Sequence, residues 1–177
     1  MRTTQGKLHL YVAIDRTSKF VFVQFVSQAN RGTASAVLVA LIAAVPYKIH
    51  TVLTDNGIQF TLPPRYADGP PATYITHMFD MRCEENGIEH RLTKIKHPWT
   101  NGQVERMNRT IKEATVKRYH DDSHQQLQAH LHDFINAYNY GRRLKTLTPF
   151  EYIGNIWTQE PERFTVNPTH HMLGLNI

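Results

Sequence analysis

Apolar positions recur along the chain in two rhythms. Residues 7–14, KLHLYVAI, and 20–26, FVFVQFV, are rich in β-branched and aromatic side chains with a partly filled alternation, the pattern of strands. DRTSK between them reads as a hairpin turn, so an antiparallel pair is expected. Residues 32–45, GTASAVLVALIAAV, are almost wholly apolar and close at Pro46, which predicts a buried helix with Thr33 as its N-cap. KIHTVLT, 48–54, is the next strand, and a strand that follows a helical crossover can pair in parallel, so a mixed sheet is predicted.

Farther on, the proline-rich stretch TLPPRYADGPPAT, 61–73, is a surface loop. Residues 76–87 form a helix ending at Gly87, and IEHRLT, 88–93, is a short strand. After the loop KIKHPWTNG, residues 103–120 form a helix with Val104, Met107, Ile111 and Ala114 on one side. Residues 123–141 form another, capped by Ser123 and stopped at Gly141, and 148–153 begin a further short helix. The last twenty or so residues have no period and read as a tail. The expected division is a core over 1–153 and a tail over 154–177.

At 177 residues and 41% hydrophobic, the chain suffices for one domain with a real core. No window of about 18 residues is continuously apolar, the mean hydropathy is −0.45, and residues 1–7 lead into a strand with no signal-peptide core. A cytosolic protein with no membrane partner is therefore expected. Cys83 is the only cysteine, so an internal disulfide and a cysteine-based zinc site are excluded.

Charge adds a direction. The formal net charge is +5, and between Arg91 and Lys145 eleven Lys and Arg stand against five Asp and Glu. A basic second half suits a polyanion, although a solvated helix face meets the same pattern.

Candidate chemistry centres on two acids. In HTVLTDNGIQF, 50–60, an apolar strand stops on Asp55 and turns at once. Sites form at strand ends in open α/β sheets, but Asp-Asn-Gly is also an ordinary turn. Glu105 lies in the first turn of its helix, where the dipole favours an anion; Asn108, Arg109 and Lys112 follow at three, four and seven residues, on the face opposite Met107 and Ile111. Carboxylates with a cationic stripe suit hard divalent cations and a phosphodiester. Eleven histidines are better read as scattered and solvated than as a zinc site: His120 and His124 straddle a helix break, and His130 and His132 point to different faces. Trp99 could stack on a base or anchor its loop, and Tyr138 and Tyr140 are read as packing residues.

TVLTDNGIQF together with HPWTNGQVERMNRTIK resembles the second and third blocks of the DDE catalytic core of retroviral integrases and related bacterial insertion-sequence transposases. FINAYNYGRR and LTPFEYI resemble that family's downstream segment, and the likeness runs from about Leu8 to Ile153. The resemblance implies a ribonuclease-H-like mixed sheet flanked by helices. It implies 3′-end processing and strand transfer by a polynucleotidyl transferase, with Asp55 and Glu105 as the second and third catalytic, metal-binding acids and two Mg²⁺ or Mn²⁺ ions. On this reading Lys94, Lys96, Arg109 and Lys112 contact phosphates and Asn108 positions DNA or water. The implied partners are DNA, both transposon ends and target, and further copies of the chain in a homo-oligomeric complex. The implied setting is the bacterial cytoplasm, at the nucleoid when bound to DNA.

The pattern departs from the family at its start. The only candidate first acid is Asp15, and AIDRTSKF matches the turn between the family's second and third strands, so a turn role is expected for it. The reading is of a chain lacking the family's first strand, with two of three acids in hand. Its rival function is a catalytically inactive, DNA-binding remnant of such a transposase.

Overall fold

A computed structural model describes residues 1–62, 76–94, 102–115 and 123–170. The chain divides into two compact units, 1–27 with 43–48 and 103–177, and 28–42 with 49–102.

In the first unit, β1 (Arg2–Thr3) and β2 (Gly6–Lys7) form a small antiparallel hairpin, with Arg2 opposite Lys7 and Gly6 at φ 126°, a turn conformation that glycine tolerates without steric cost. β3 (His9–Ile14) pairs antiparallel with β4 (Val21–Val26), His9 opposite Val26 and Ile14 opposite Val21, as the two apolar runs and DRTSK predict. The alternation then decides packing. Leu10, Val12 and Ile14 of β3 and Val21, Val23 and Phe25 of β4 share one face. That face packs on Met107 and Ile111 of α3 (Gly102–Ala114) and on Leu131 and Ile135 of α4 (His124–Asn136).

Ser123 caps α4 through a reciprocal box: its side chain accepts from the Gln126 amide, and the Gln126 side chain accepts from the Ser123 amide. The helix does not run unbroken to Gly141. It widens into a π-helical turn over Ala137–Gly141, which buries Tyr138 and Asn139. α5 (Pro149–Gln159) starts from a second box, Thr148 with Glu151, and has Pro at its first position. It extends six residues past Ile153. Beyond it Phe164 is buried between Tyr47 and Trp157 in edge-to-face contacts at 6.2 and 5.3 Å. Residues 154–170 are therefore structured, where the lack of period suggests a tail; the packing comes from three separated aromatics rather than from a repeating face.

α1 (Arg31–Ala44) belongs to the second unit up to Ile42. It starts two residues before Thr33: the Asn30 side chain accepts from the Thr33 amide, and the Thr33 hydroxyl accepts from the Asn30 amide, so Asn30 is the cap. Only one side is buried, Ala34, Ser35, Val37 and Leu38, and Val39 is 44% exposed, so the apolar sequence does not make a wholly buried helix.

In the second unit β5 (Thr51–Thr54) pairs in parallel with β6 (Glu89–Leu92) across the α2 (Met78–Glu85) crossover. Gly87 follows α2 with φ 65°, the left-handed stop that its sequence position predicts. Cys83 lies buried on α2, and burial pushes its thiol up to about 11. Antiparallel and parallel pairings are both present, in separate two-stranded sheets. No helix among the described residues is long and apolar enough to cross a membrane.

Candidate active site

β5 delivers Asp55 to the point where the strand ends. The carboxylate is exposed, and its Oδ1 accepts the Gly57 amide at 2.9 Å, which closes the Asx turn that Asp-Asn-Gly predicts. Two further bonds tie this end to β6: Thr93 donates its amide to the Thr54 carbonyl, and the Asn56 side chain donates to the Thr93 carbonyl, both at 2.9 Å. Lys94, exposed, follows directly after Thr93. The strand-end acid and this lysine thus leave neighbouring ends of one parallel pair. Lys96 and Trp99 lie outside the described residues, as do the body of the proline-rich loop and His120.

α3 carries the other set. Met107 is 5% and Ile111 0% exposed, and their burial against the β3–β4 face fixes the helix rotation. Glu105, Arg109 and Lys112 lie on the exposed side, with Asn108 at its margin. The spacing of four and seven residues therefore puts one acid and two cations on a common solvent-facing stripe. Asp55 and Glu105 belong to different units. Hard carboxylate oxygens, exposed at a strand end and in a helix's first turn, are the donor type that suits Mg²⁺ or Mn²⁺. Among the described residues no group of three or more His, Cys, Asp and Glu is placed to hold a metal ion.

Asp15 is differently engaged. Its carboxylate accepts from the Thr17 amide at 2.9 Å, the Ser18 amide at 3.3 Å and the Ser18 hydroxyl at 2.5 Å. The Tyr47 hydroxyl also donates to it, and burial together with the Asp15 charge raises the Tyr47 pKa far above its ordinary value. Asp15 is the organising acceptor of the β3–β4 turn, in which Lys19 takes a positive φ of 66°.

Beside Asp55 runs a polar chain that no sequence pattern marks. Thr54, 8% exposed, donates its hydroxyl to the Asp55 carbonyl at 3.0 Å and lies 2.8 Å from His90 Nε2. His90 Nδ1 lies 2.5 Å from an Asp80 carboxylate oxygen, and Phe79 packs edge-on against the imidazole at 4.8 Å. His77, 2% exposed, caps α2: its Nδ1 accepts the Phe79 amide at 3.1 Å, and Nε2 contacts the Ile58 carbonyl at 3.3 Å. These two histidines are not solvated, contrary to the expectation for all eleven. The one available signal is that His90 falls in a short strand two residues after Ile88, but period alone cannot name its partners.

A model of the Integrase core domain matches residues 1–98, and a second model of the same description matches residues 86–149. The chain belongs to the integrase core domain family. The fold agrees. The catalytic core domain of BIV integrase superposes with a TM-score of 0.64 at 23% identity, covering 86% of this chain and 90% of that one. A simian T-cell lymphotropic virus intasome, solved in complex with PP2A regulatory subunit B56 gamma, gives 0.66 at 22% identity, covering 82% and 48%. The architecture of this integrase core domain is thus ribonuclease-H-like. Among curated proteins, Uncharacterized protein K02A2.6 of Caenorhabditis elegans is 27% identical over 109 residues, 62% of this chain. Putative integrase ORF3 of Spiroplasma virus SpV1-C74 is 26% identical over 111 residues, 61% of this chain. The matches span only 7% and 30% of those relatives' own lengths.

Proposed function

We propose that this integrase core domain acts on DNA in transposition or integration, with Asp55 and Glu105 as ligands of divalent Mg²⁺ or Mn²⁺. The observation that supports the reading is that both acids of the family-like motifs are exposed, each in its own unit: Asp55 ends β5, and Glu105 shares the outer face of α3 with Arg109 and Lys112. When bound, the metal supplies Lewis-acid stabilisation of charge on a phosphodiester. The chain's own groups do the rest: Arg109, Lys112 and Lys94 hold flanking phosphates, Asn108 orients DNA or water, and the Gly57 amide fixes one oxygen of Asp55. The likeness to an intasome supports DNA and further copies of the chain as partners.

A second reading is favoured by Asp15. Its carboxylate is engaged by the turn and by Tyr47, which supports a catalytically inactive core that binds DNA.

The test uses labelled transposon-end DNA and Mn²⁺ titration on the chain and on its Asp55→Asn and Glu105→Gln variants. The first reading expects metal-dependent joined products that both variants lose, with DNA binding retained. The second expects salt-sensitive binding with no joined product from any form. Joining retained in either variant removes that acid from the assignment.

A further inference from the structure

We propose that Asp80, His90 and Thr54 form a positioning relay that sets the orientation of Asp55 at the end of β5, and so tunes its grip on a divalent cation. The inference rests on the reading of Asp55 as a metal ligand and adds to it three residues outside the matching motif's acids.

The relay crosses three elements of one unit: Asp80 in the first turn of α2, His90 in the middle of β6, and Thr54 as the last residue of β5. Each link is short. Asp80 Oδ1 lies 2.5 Å from His90 Nδ1, and His90 Nε2 lies 2.8 Å from Thr54 Oγ1, which is 3.0 Å from the Asp55 carbonyl. The chemistry fixes the polarity of the first link. An ionised carboxylate only accepts, so Asp80 holds the Nδ1 proton and with it the ring plane. The single proton of the Thr54 hydroxyl goes to the Asp55 carbonyl, so the other ring nitrogen is the donor of the second link and the Thr54 oxygen accepts from it.

The imidazole cannot swing away. Its side chain is 7% exposed, and Phe79, itself packed on Phe60 at 5.1 Å, lies edge-on to it. Thr54 is held from both sides: its carbonyl accepts the Thr93 amide, and its hydroxyl sits between His90 and the next peptide. The Asp55 backbone is thereby gripped at its carbonyl while its carboxylate is gripped by the Gly57 amide. A chain of buried polar contacts ending one residue from an exposed carboxylate is what outer-sphere support of a metal ligand requires: it removes freedom from the ligand without touching the ion. A purely structural His90–Thr54 bond would serve β5–β6 pairing as well, but the four-residue parallel ladder and the Asn56–Thr93 bond already supply that.

The decisive variant is Thr54→Val, which keeps shape and β-branching and deletes the hydroxyl. His90→Phe removes the aimed nitrogen, and Thr54→Ser restores the hydroxyl. Two quantities are read on the intact chain: Mn²⁺ affinity by calorimetric titration, and hydrogen exchange of the Gly57 amide in the absence of metal. Loss of outer-sphere support weakens metal affinity by about tenfold or more. Thr54→Val and His90→Phe are expected to show that loss, with faster Gly57 exchange and unchanged far-UV circular dichroism, and Thr54→Ser to behave as wild type. Wild-type Mn²⁺ affinity in Thr54→Val overturns the proposal when Asp55→Asn has lost Mn²⁺ binding, and so does unchanged Gly57 exchange. If Asp55→Asn binds Mn²⁺ as wild type does, the ligand assignment itself fails, and the positioning role fails with it.

Discussion

The Asn139 side chain pairs with both backbone groups of Val21, 118 residues earlier. Its Oδ1 accepts the Val21 amide at 2.9 Å and its Nδ2 donates to the Val21 carbonyl at 2.8 Å, with Asn139 2% and Val21 1% exposed. The amide thus imitates a neighbouring strand at the first residue of β4. The π-helical turn is what aims it, since the wider turn brings Tyr138 and Asn139 inward together.

Asn139→Ala leaves a buried N–H and C=O without partners, a cost of about 1–3 kcal/mol for each unsatisfied group. Asn139→Asp keeps an acceptor for the Val21 amide but sets an oxygen against the Val21 carbonyl, and is expected to be at least as damaging. Urea denaturation of the two variants checks this; a midpoint within error of wild type for both would show that the pairing contributes nothing.

His77 makes the α2 cap pH-sensitive. Burial lowers its pKa below the usual imidazole value, so the unfolded chain takes up a proton that the folded chain resists. The contribution is fully present above about pH 6.5, the ordinary histidine value, and is lost as pH falls through the lowered one. Protonation also removes the acceptor that Nδ1 offers to the Phe79 amide, a cap bond worth about 1 kcal/mol. His77→Asn keeps a capping acceptor and does not titrate. Thermal melts from pH 8 to 5 are expected to show wild type losing stability faster than the variant below pH 6.5. Parallel profiles would exclude His77 as the titrating group.

The stripe on α3 predicts a salt signature. If Arg109 and Lys112 each neutralise one phosphate, alanine at either lowers the slope of log affinity against log salt by about 0.9 for duplex DNA. The loss is uniform across DNA sequences, because a phosphate contact positions the chain without reading bases. Fluorescence anisotropy over a salt series measures it, and an unchanged slope removes that residue from the interface.

Much of this was legible one element at a time. Alternation predicts the β3–β4 hairpin, Ser123 and Thr148 announce their helices, and Gly87 ends α2. The rotation of α3 follows from Met107 and Ile111, which is why the placement of Glu105, Arg109 and Lys112 on its exposed face could be read from spacing. The start of α1 lies before Thr33 because Thr33 and Asn30 are both good caps and bond to each other, with Asn30 taking the cap position. Residues 154–170 are not readable from period because their buried Phe164 packs on Tyr47, far back in the chain, as well as on the nearby Trp157.

The sequence by itself determined most of the elements, the caps at Ser123 and Thr148 and the position of each acid within its element, because those depend on contacts between residues a few positions apart. Only the tertiary structure decided the partners of the buried polar groups. Asp15 meets Tyr47, His90 meets both Asp80 and Thr54, and Asn139 meets Val21. Such pairings depend on which helix lies against which strand and at what rotation, and hydrophobic period fixes the buried face of an element without naming what that face is buried against.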